Sequence, residues 1–252
     1  MVTIKHLTFR FGSRTILNDI SAHFAPGSFH AVMGCNGCGK TTLLRCIDQI
    51  IKPQQGEILI QGTDPSGLSP RMLAQKISFV QQQPITDFEF SAFEIVLMGR
   101  NPYQHRLQNE SKQDWDIVEQ AMKLTHTWEL RFAKPHQMSG GELQRVMIAR
   151  ALAQDTPIML LDEPTSNLDI EHQLDIMRLL SRINKEQHKT LLLVIHDLHL
   201  AKRFCPDLVL MRQGHLLYQG PTDKGLTDAN IRQVFHVDAT ELFFGTIKEG
   251  VL

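Results

Sequence analysis

Eight residues constrain this chain more than any others: Gly34-Cys35-Asn36-Gly37-Cys38-Gly39-Lys40-Thr41. They follow an apolar run, Phe29 to Met33, and precede Leu43, Leu44, Ile47 and Ile50 at helical spacing. A strand that passes into a helix through G-x-x-x-x-G-K-[ST] is the setting in which backbone N–H groups converge on an anion. Glycine at Gly34, Gly37 and Gly39 lets those groups turn inward, and the positive end of the helix starting near Lys40 adds to them. The pattern predicts that Gly34 through Thr41, with Thr42 behind them, cradle the phosphates of ATP. Lys40 would reach the β- and γ-phosphates, and the Thr41 hydroxyl would ligate Mg²⁺.

Two further segments carry chemistry. Ile158-Met159-Leu160-Leu161-Asp162-Glu163 reads as a buried strand ending in two carboxylates, at the end of a sheet where ligands bind. Asp162 is expected to hold Mg²⁺ and Glu163 to polarise an attacking water. Read blandly, the pair would be a solvated strand end and a helix cap. Met138-Ser139-Gly140-Gly141-Glu142 then feeds the helical pattern from Leu143 to Ala153, a second small-residue loop at a helix N-terminus. One nucleotide does not need two such helices from the same chain.

Around these motifs, short apolar runs alternate with helical stripes. Ile77 to Val80, Ile158 to Leu161 and Leu191 to Ile195 are uninterrupted enough to be strands covered on both faces. Thr3 to Arg10 and Thr15 to Phe24, with turn residues at Gly12-Ser13 and Pro26-Gly27, read as antiparallel strands. From Pro84 to Met138 strand signals vanish, and Phe93 to Met98 and the stripe Trp115, Val118, Met122 predict helices packed on one another. Leu208 to Met211 and His215 to Tyr218 form a hairpin pattern, and Thr227 caps a last helix. The expected fold is α/β, a P-loop NTPase core with a mostly parallel sheet, antiparallel N-terminal strands and an inserted α-helical subdomain. The core would comprise residues 1–83 and 139–252, and the insert residues 84–138.

Composition narrows the partners. Of the 252 residues, 42% are hydrophobic and 21% charged, enough for a sizeable core, and the net charge of -1 argues against nucleic acid as the main partner. No apolar run approaches the ~20 residues that cross a bilayer. The first residues lack a basic stretch followed by an apolar one, so a cytoplasmic location is expected. Four cysteines suit no disulfide scaffold, and Cys35 with Cys38 lacks the second ligand pair of a zinc site. His196 and His199 stand three apart, which by itself does not make a metal site.

These motifs, in this order, strongly resemble those of the ABC-type ATPases. Met138 to Glu142 differs from the family's usual Leu-Ser-Gly-Gly-Gln by Met for Leu and Glu for Gln. The resemblance implies an adenine-stacking aromatic at Phe11, a Mg²⁺-linked and catalytic glutamine at Gln82 within the run Gln81-Gln82-Gln83, Asp169 in Ser166-Asn167-Leu168-Asp169, and a γ-phosphate contact at His196. It implies a head-to-tail dimer in which Ser139, Gly140 and Gly141 of one copy close on the phosphate loop of the other. Phe93 through Tyr103, with its Gly99-Arg100-Asn101-Pro102 core, is similar to the importer branch for iron-siderophore, haem and cobalamin uptake, although manganese and zinc importers carry similar stretches. That branch implies a polytopic permease as partner, indirectly a substrate-binding protein, and a peripheral place on the cytoplasmic side of the inner membrane. The rivals are a soluble ABC ATPase acting on nucleic acid and a monomeric P-loop kinase. Cys35 and Cys38 depart from the family's commoner proline and serine or alanine. Beside a helix N-terminus and Lys40, the Cys38 thiol is expected to be acidified and reactive.

Overall fold

The computed structural model describes residues 1–82, 89–104 and 110–237. The expected boundary between residues 83 and 84, and the end of the core beyond residue 237, lie outside them. The chain begins with β1 (Val2–Phe11), β2 (Arg14–Phe24) and β3 (Phe29–Gly34), then α1 (Lys40–Ile47), β4 (Gln55–Ile60), α2 (Pro70–Ala74) and β5 (Ile77–Val80). Next come three helices, α3 (Ala92–Leu97), α4 (Lys112–Leu124) and α5 (Gly140–Ala153). Strand and helix alternate again in β6 (Ile158–Asp162), α6 (Ile170–Gln187), β7 (Thr190–Val194), α7 (Leu198–Phe204) and β8 (Asp207–Arg212). The described chain closes with β9 (His215–Pro221), α8 (Thr222–Gly225) and α9 (Asp228–Phe235).

Two sheets result. The larger has the order β5-β6-β7-β3-β8-β9, parallel except for β9, while β2-β1-β4 form a separate antiparallel sheet. Uninterrupted apolar strands make the larger sheet a shared wall between two cores, because alternate residues face opposite ways. Met159, Leu161, Leu191, Leu193, Leu208 and Leu210 join the core beneath α3 to α7. Ile158, Leu160, Leu192, Val194, Val209 and Met211 join the other, with α1 and the antiparallel sheet. β4 was not legible as a strand: its residues read exposed, exposed, exposed, buried, intermediate, buried, so only its last turn of sequence alternates.

Helix starts in the α3–α5 region follow one device. Ser91, Ser111 and Ser139 each cap a helix whose third residue, Glu94, Asp114 or Glu142, returns a carboxylate to the cap. The Gly99-Arg100 pair then ties the helices together. A Cβ on Gly99 would lie 2.3 Å from the Arg150 carbonyl oxygen, so only glycine lets the end of α3 approach α5. Arg100 donates to Asp114 Oδ1 at 2.9 Å and to the Ala153 carbonyl at 2.7 Å, with its guanidinium 4.1 Å from the Tyr103 ring centroid. Replacing it leaves a half-partnered buried carboxylate, which typically costs several kcal/mol. Arg100→Met is expected to lower the unfolding free energy by about 3 kcal/mol, read from urea denaturation followed by tryptophan fluorescence. An unchanged midpoint would show that the pair does not hold the helices.

Candidate active site

The site is assembled at the carboxyl ends of β3, β5, β6 and β7. After β3 the phosphate-type loop turns tightly. A Cβ on Gly34 would lie 2.2 Å from the Met211 carbonyl of neighbouring β8, and one on Gly39, where φ is +106°, would lie 2.8 Å from Leu17 Cδ2. Both positions therefore exclude a side chain on steric grounds, while Gly37 uses its positive φ of +74° in open space. Lys40 is buried and donates to the carbonyls of Gly34 at 2.9 Å and Cys35 at 3.1 Å. The loop's own carbonyls thus fix this ammonium at the start of α1, one residue before Thr41 and two before Thr42.

Beside the loop lies a cleft of about 480 Å³ lined by Cys35, Asn36 and Gly37, by Arg14 of β2 and Arg212 of β8, and by His236 past α9. The two arginines and His236 were missed in the sequence; Arg212 comes to the loop because the pairing of Gly34 with Met211 brings the end of β8 there. Phe11 pairs across the first hairpin with Arg14, and its ring is 57% exposed. An exposed aromatic beside that arginine offers a free face for a flat base.

Asp162 ends β6 and is buried, accepting from the Thr41 hydroxyl at 3.0 Å. Burial pushes its carboxyl above the ordinary range, opposed by that hydroxyl and by the charges of Arg45 and Lys40. Glu163 follows in a left-handed backbone conformation, φ +50°, which a non-glycine residue adopts at a cost. Its carboxylate gathers two other loops: Oε2 accepts from Gln82 Nε2 at 2.6 Å, and Oε1 lies 2.7 Å from His196 Nε2. Gln82 follows β5 and His196 follows β7, so residues 81 and 33 positions away meet on one side chain.

Ser139, Gly140 and Gly141 form the first turn of α5. The Ser139 N–H and hydroxyl both donate to Glu142 Oε2, at 2.8 and 2.9 Å, and these bonds hold that carboxyl below its usual range. Glutamate at this position is therefore a stronger acceptor for the cap than glutamine would be. Among the described residues, no hydrogen bond joins this turn to the Gly34–Thr41 loop. Asp169 instead reaches the turn indirectly: its Oδ1 accepts from the His172 N–H at 2.9 Å and meets His172 Nδ1 at 2.6 Å, and a Cβ on Gly141 would lie 2.4 Å from the His172 ring. His172 carried no signal in the sequence.

The expected reactivity of Cys38 is overturned. Its side chain is buried, and burial raises the thiol above its usual range, outweighing the nearby Lys40 charge and backbone. Burial likewise pushes Cys46 up to about 12 and raises Cys205. Cys35 is the accessible thiol, half-buried and donating to the Val234 carbonyl at 2.7 Å. Brief N-ethylmaleimide treatment is expected to add one label per native chain, at Cys35, with the other three labelled only after denaturation. Peptide mass spectrometry that finds Cys38 labelled first would refute this order.

Residues 17–166 match the ABC transporter family. The chain is 36% identical over 237 residues to the achromobactin transport ATP-binding protein CbrD of Dickeya dadantii, covering 94% of this chain and 88% of that one. It is 36% identical to the ferric enterobactin transport ATP-binding protein FepC of Escherichia coli, covering 92% of this chain and 85% of FepC. Among solved structures, an inward-facing transporter assigned to the metal-chelate type superposes with a TM-score of 0.83 at 28% identity, over 94% of this chain and 89% of that one. A dimeric ATP-binding cassette in a post-hydrolysis state, bound to ADP and Pi, superposes with a TM-score of 0.77 at 31% identity, over 88% of this chain and 99% of that one. With a complete phosphate loop, a carboxylate centre and relatives along nearly its whole length, the chain belongs to the ABC transporter family, as one of its ATP-binding ATPases.

Proposed function

We propose that this chain energises a membrane importer of a metal chelate such as an iron-siderophore, haem or cobalamin complex, working as a head-to-tail pair bound to a polytopic permease. The observation that carries the enzymatic half is the Glu163 carboxylate, held by Gln82 and His196 beside the Thr41–Asp162 pair. The transport half rests on relatives named for achromobactin, ferric enterobactin and cobalamin transport. No helix among the described residues is long and apolar enough to cross a membrane. The proposed place is peripheral, on the cytoplasmic face, with a substrate-binding protein feeding the permease.

Each residue then has a task. The N–H groups of Gly34 through Thr41 bind ATP phosphates, Lys40 neutralises them, and Phe11 offers its face to the adenine. Thr41, Asp162 and Gln82 present hydroxyl, carboxylate and amide oxygens, the hard donors Mg²⁺ prefers. When bound, Mg²⁺ supplies charge neutralisation at the phosphates. Glu163 takes the proton of the attacking water, while Gln82 and His196 fix the carboxylate's orientation and His196 turns to the γ-phosphate. Ser139, Gly140, Gly141 and Asp169 act across the dimer, where a second helix N-terminus meets the same phosphates. Moving a closed dimer from about 1% to 99% of the population takes about 5.5 kcal/mol of differential affinity. Charged hydrogen bonds at ~1.5–3 kcal/mol each make two shared nucleotides sufficient.

Affinity purification of the tagged chain from detergent-solubilised membranes is expected to bring down a polytopic membrane protein in stoichiometric amount. Recovery of nucleic acid, or of the chain alone, would overturn the transport assignment.

A further inference from the structure

The turn that joins β8 to β9 is clamped between the phosphate loop and β2. The Gly214 N–H donates to the Cys38 carbonyl at 3.1 Å, and the Gly214 carbonyl accepts from the Asn18 N–H at 2.8 Å. A Cβ on Gly214, where φ is +80°, would lie 2.5 Å from the Ile16 carbonyl oxygen, so glycine is what lets the three segments meet. This clamp carries Arg212, the last residue of β8, and Arg14, the first residue of β2, to the cleft beside Cys35, Asn36 and Gly37. The end of α9 makes a further wall. The Cys35 thiol donates to the Val234 carbonyl at 2.7 Å, and His236 lines the same cleft two residues later.

Both arginines reach the cleft unanswered. Among the described residues neither Arg14 nor Arg212 makes a side-chain hydrogen bond or ion pair, and no carboxylate lines the cleft. Arg212 is half-buried, where an unpaired cation costs more than it does in open water. Each guanidinium therefore keeps its five N–H donors, in a planar fork that fits two oxygens of one phosphate. The place of Arg14 says which phosphate. It is the cross-strand neighbour of Phe11 and also lines the loop's cleft, so it spans from the ring that takes the base to the loop whose Lys40 takes the β- and γ-phosphates. In a nucleotide laid along that path, the charged group between the two is the α-phosphate. We propose that Arg14 and Arg212 form a clamp on the α-phosphate of the bound nucleotide.

The clamp rests on the Gly34–Thr41 loop being the nucleotide site and adds to that site two groups from outside the loop. Its consequence concerns both ends of the cycle. The α-phosphate is unchanged by hydrolysis, so the clamp holds ADP as firmly as ATP and leaves discrimination between them to the groups around Glu163.

ADP and pyrophosphate are the probes, each titrated by calorimetry into the full chain at about 0.15 M salt, where long-range attraction is largely screened. Arg212→Gln is expected to weaken ADP about tenfold. Arg14→Gln, whose side chain is exposed, should weaken it about threefold. Pyrophosphate can fill the loop but offers the clamp no α-phosphate, so its affinity should change by less than about twofold in either variant. Neither arginine has a partner to lose within the described fold, so both variants should melt with the wild-type chain. Equal weakening of ADP and pyrophosphate would mean a general loss at the loop and would overturn the clamp, as would ADP affinity unchanged by both replacements. Lys40→Ala tests the loop separately: if that chain bound ADP as tightly as the wild type, the loop would not be the nucleotide site, and the clamp would fall with it.

Discussion

Glu163→Gln is expected to cut ATP hydrolysis by about 10²–10⁴ while ATP binding survives. The replacement keeps the shape of the side chain and keeps an acceptor oxygen for Gln82 or His196, both of which now lie within 2.7 Å of the carboxylate. It removes the one property an amide cannot supply, a basic oxygen able to take a proton from water. Lys40, Thr41 and the loop N–H groups are untouched, so nucleotide affinity should not fall. With turnover stopped and ATP still bound, the closed dimer should accumulate. Phosphate release would be measured beside gel filtration in ATP, and a Glu163→Gln chain that hydrolyses at the wild-type rate would remove Glu163 from its role. His196→Ala provides the contrast: without its γ-phosphate contact the chain should lose turnover without trapping the dimer, whereas a histidine that only orients the carboxylate would leave a trapped dimer as Glu163→Gln does.

Much of this site was legible because its motifs are local. Gly34 to Thr41 is a contiguous turn whose glycines, strand and helix all lie within about twenty residues, and Asp162-Glu163 stands at the end of a strand any hydropathy reading would find. Gln82 and His196 were assigned by resemblance, and the structure brings both to Glu163 through the parallel neighbours β5, β6 and β7. What escaped is information of register and long-range packing. β4 pairs with β1 over a gap of some fifty residues and has three exposed positions before its first buried one, so nothing local marks it. Arg212 reaches the phosphate loop only because β8 runs beside β3, and His172 matters only because Gly141 leaves room for its ring. Cys38 failed for a related reason: the helix N-terminus and Lys40 are visible in the sequence, whereas the burial that outweighs them belongs to the folded state.

The largest gain of function expected is from two dead chains. Lys40→Ala removes the ammonium that the carbonyls of Gly34 and Cys35 hold. Gly140→Asp puts a carboxylate on the first turn of α5, where a Cβ meets nothing nearer than Leu168 Cδ2 at 3.5 Å. An acidic residue in the first turn favours the helix, so this chain should fold, while its charge repels any phosphate approaching that N-terminus. Each variant alone is expected to hydrolyse ATP at about a hundredth of the wild-type rate or less. Suppose the phosphate loop of one copy works against the Ser139 turn of the other. A mixed pair then places both lesions in one site and leaves the second site intact, and since half the pairs in an equal mixture are mixed, about a quarter of the wild-type rate should return. If each chain instead completed its own site, every site in the mixture would carry one lesion and nothing would return. Steady-state ATPase assays across a mixing series separate the two, and a flat line at the level of the parents would exclude the shared site.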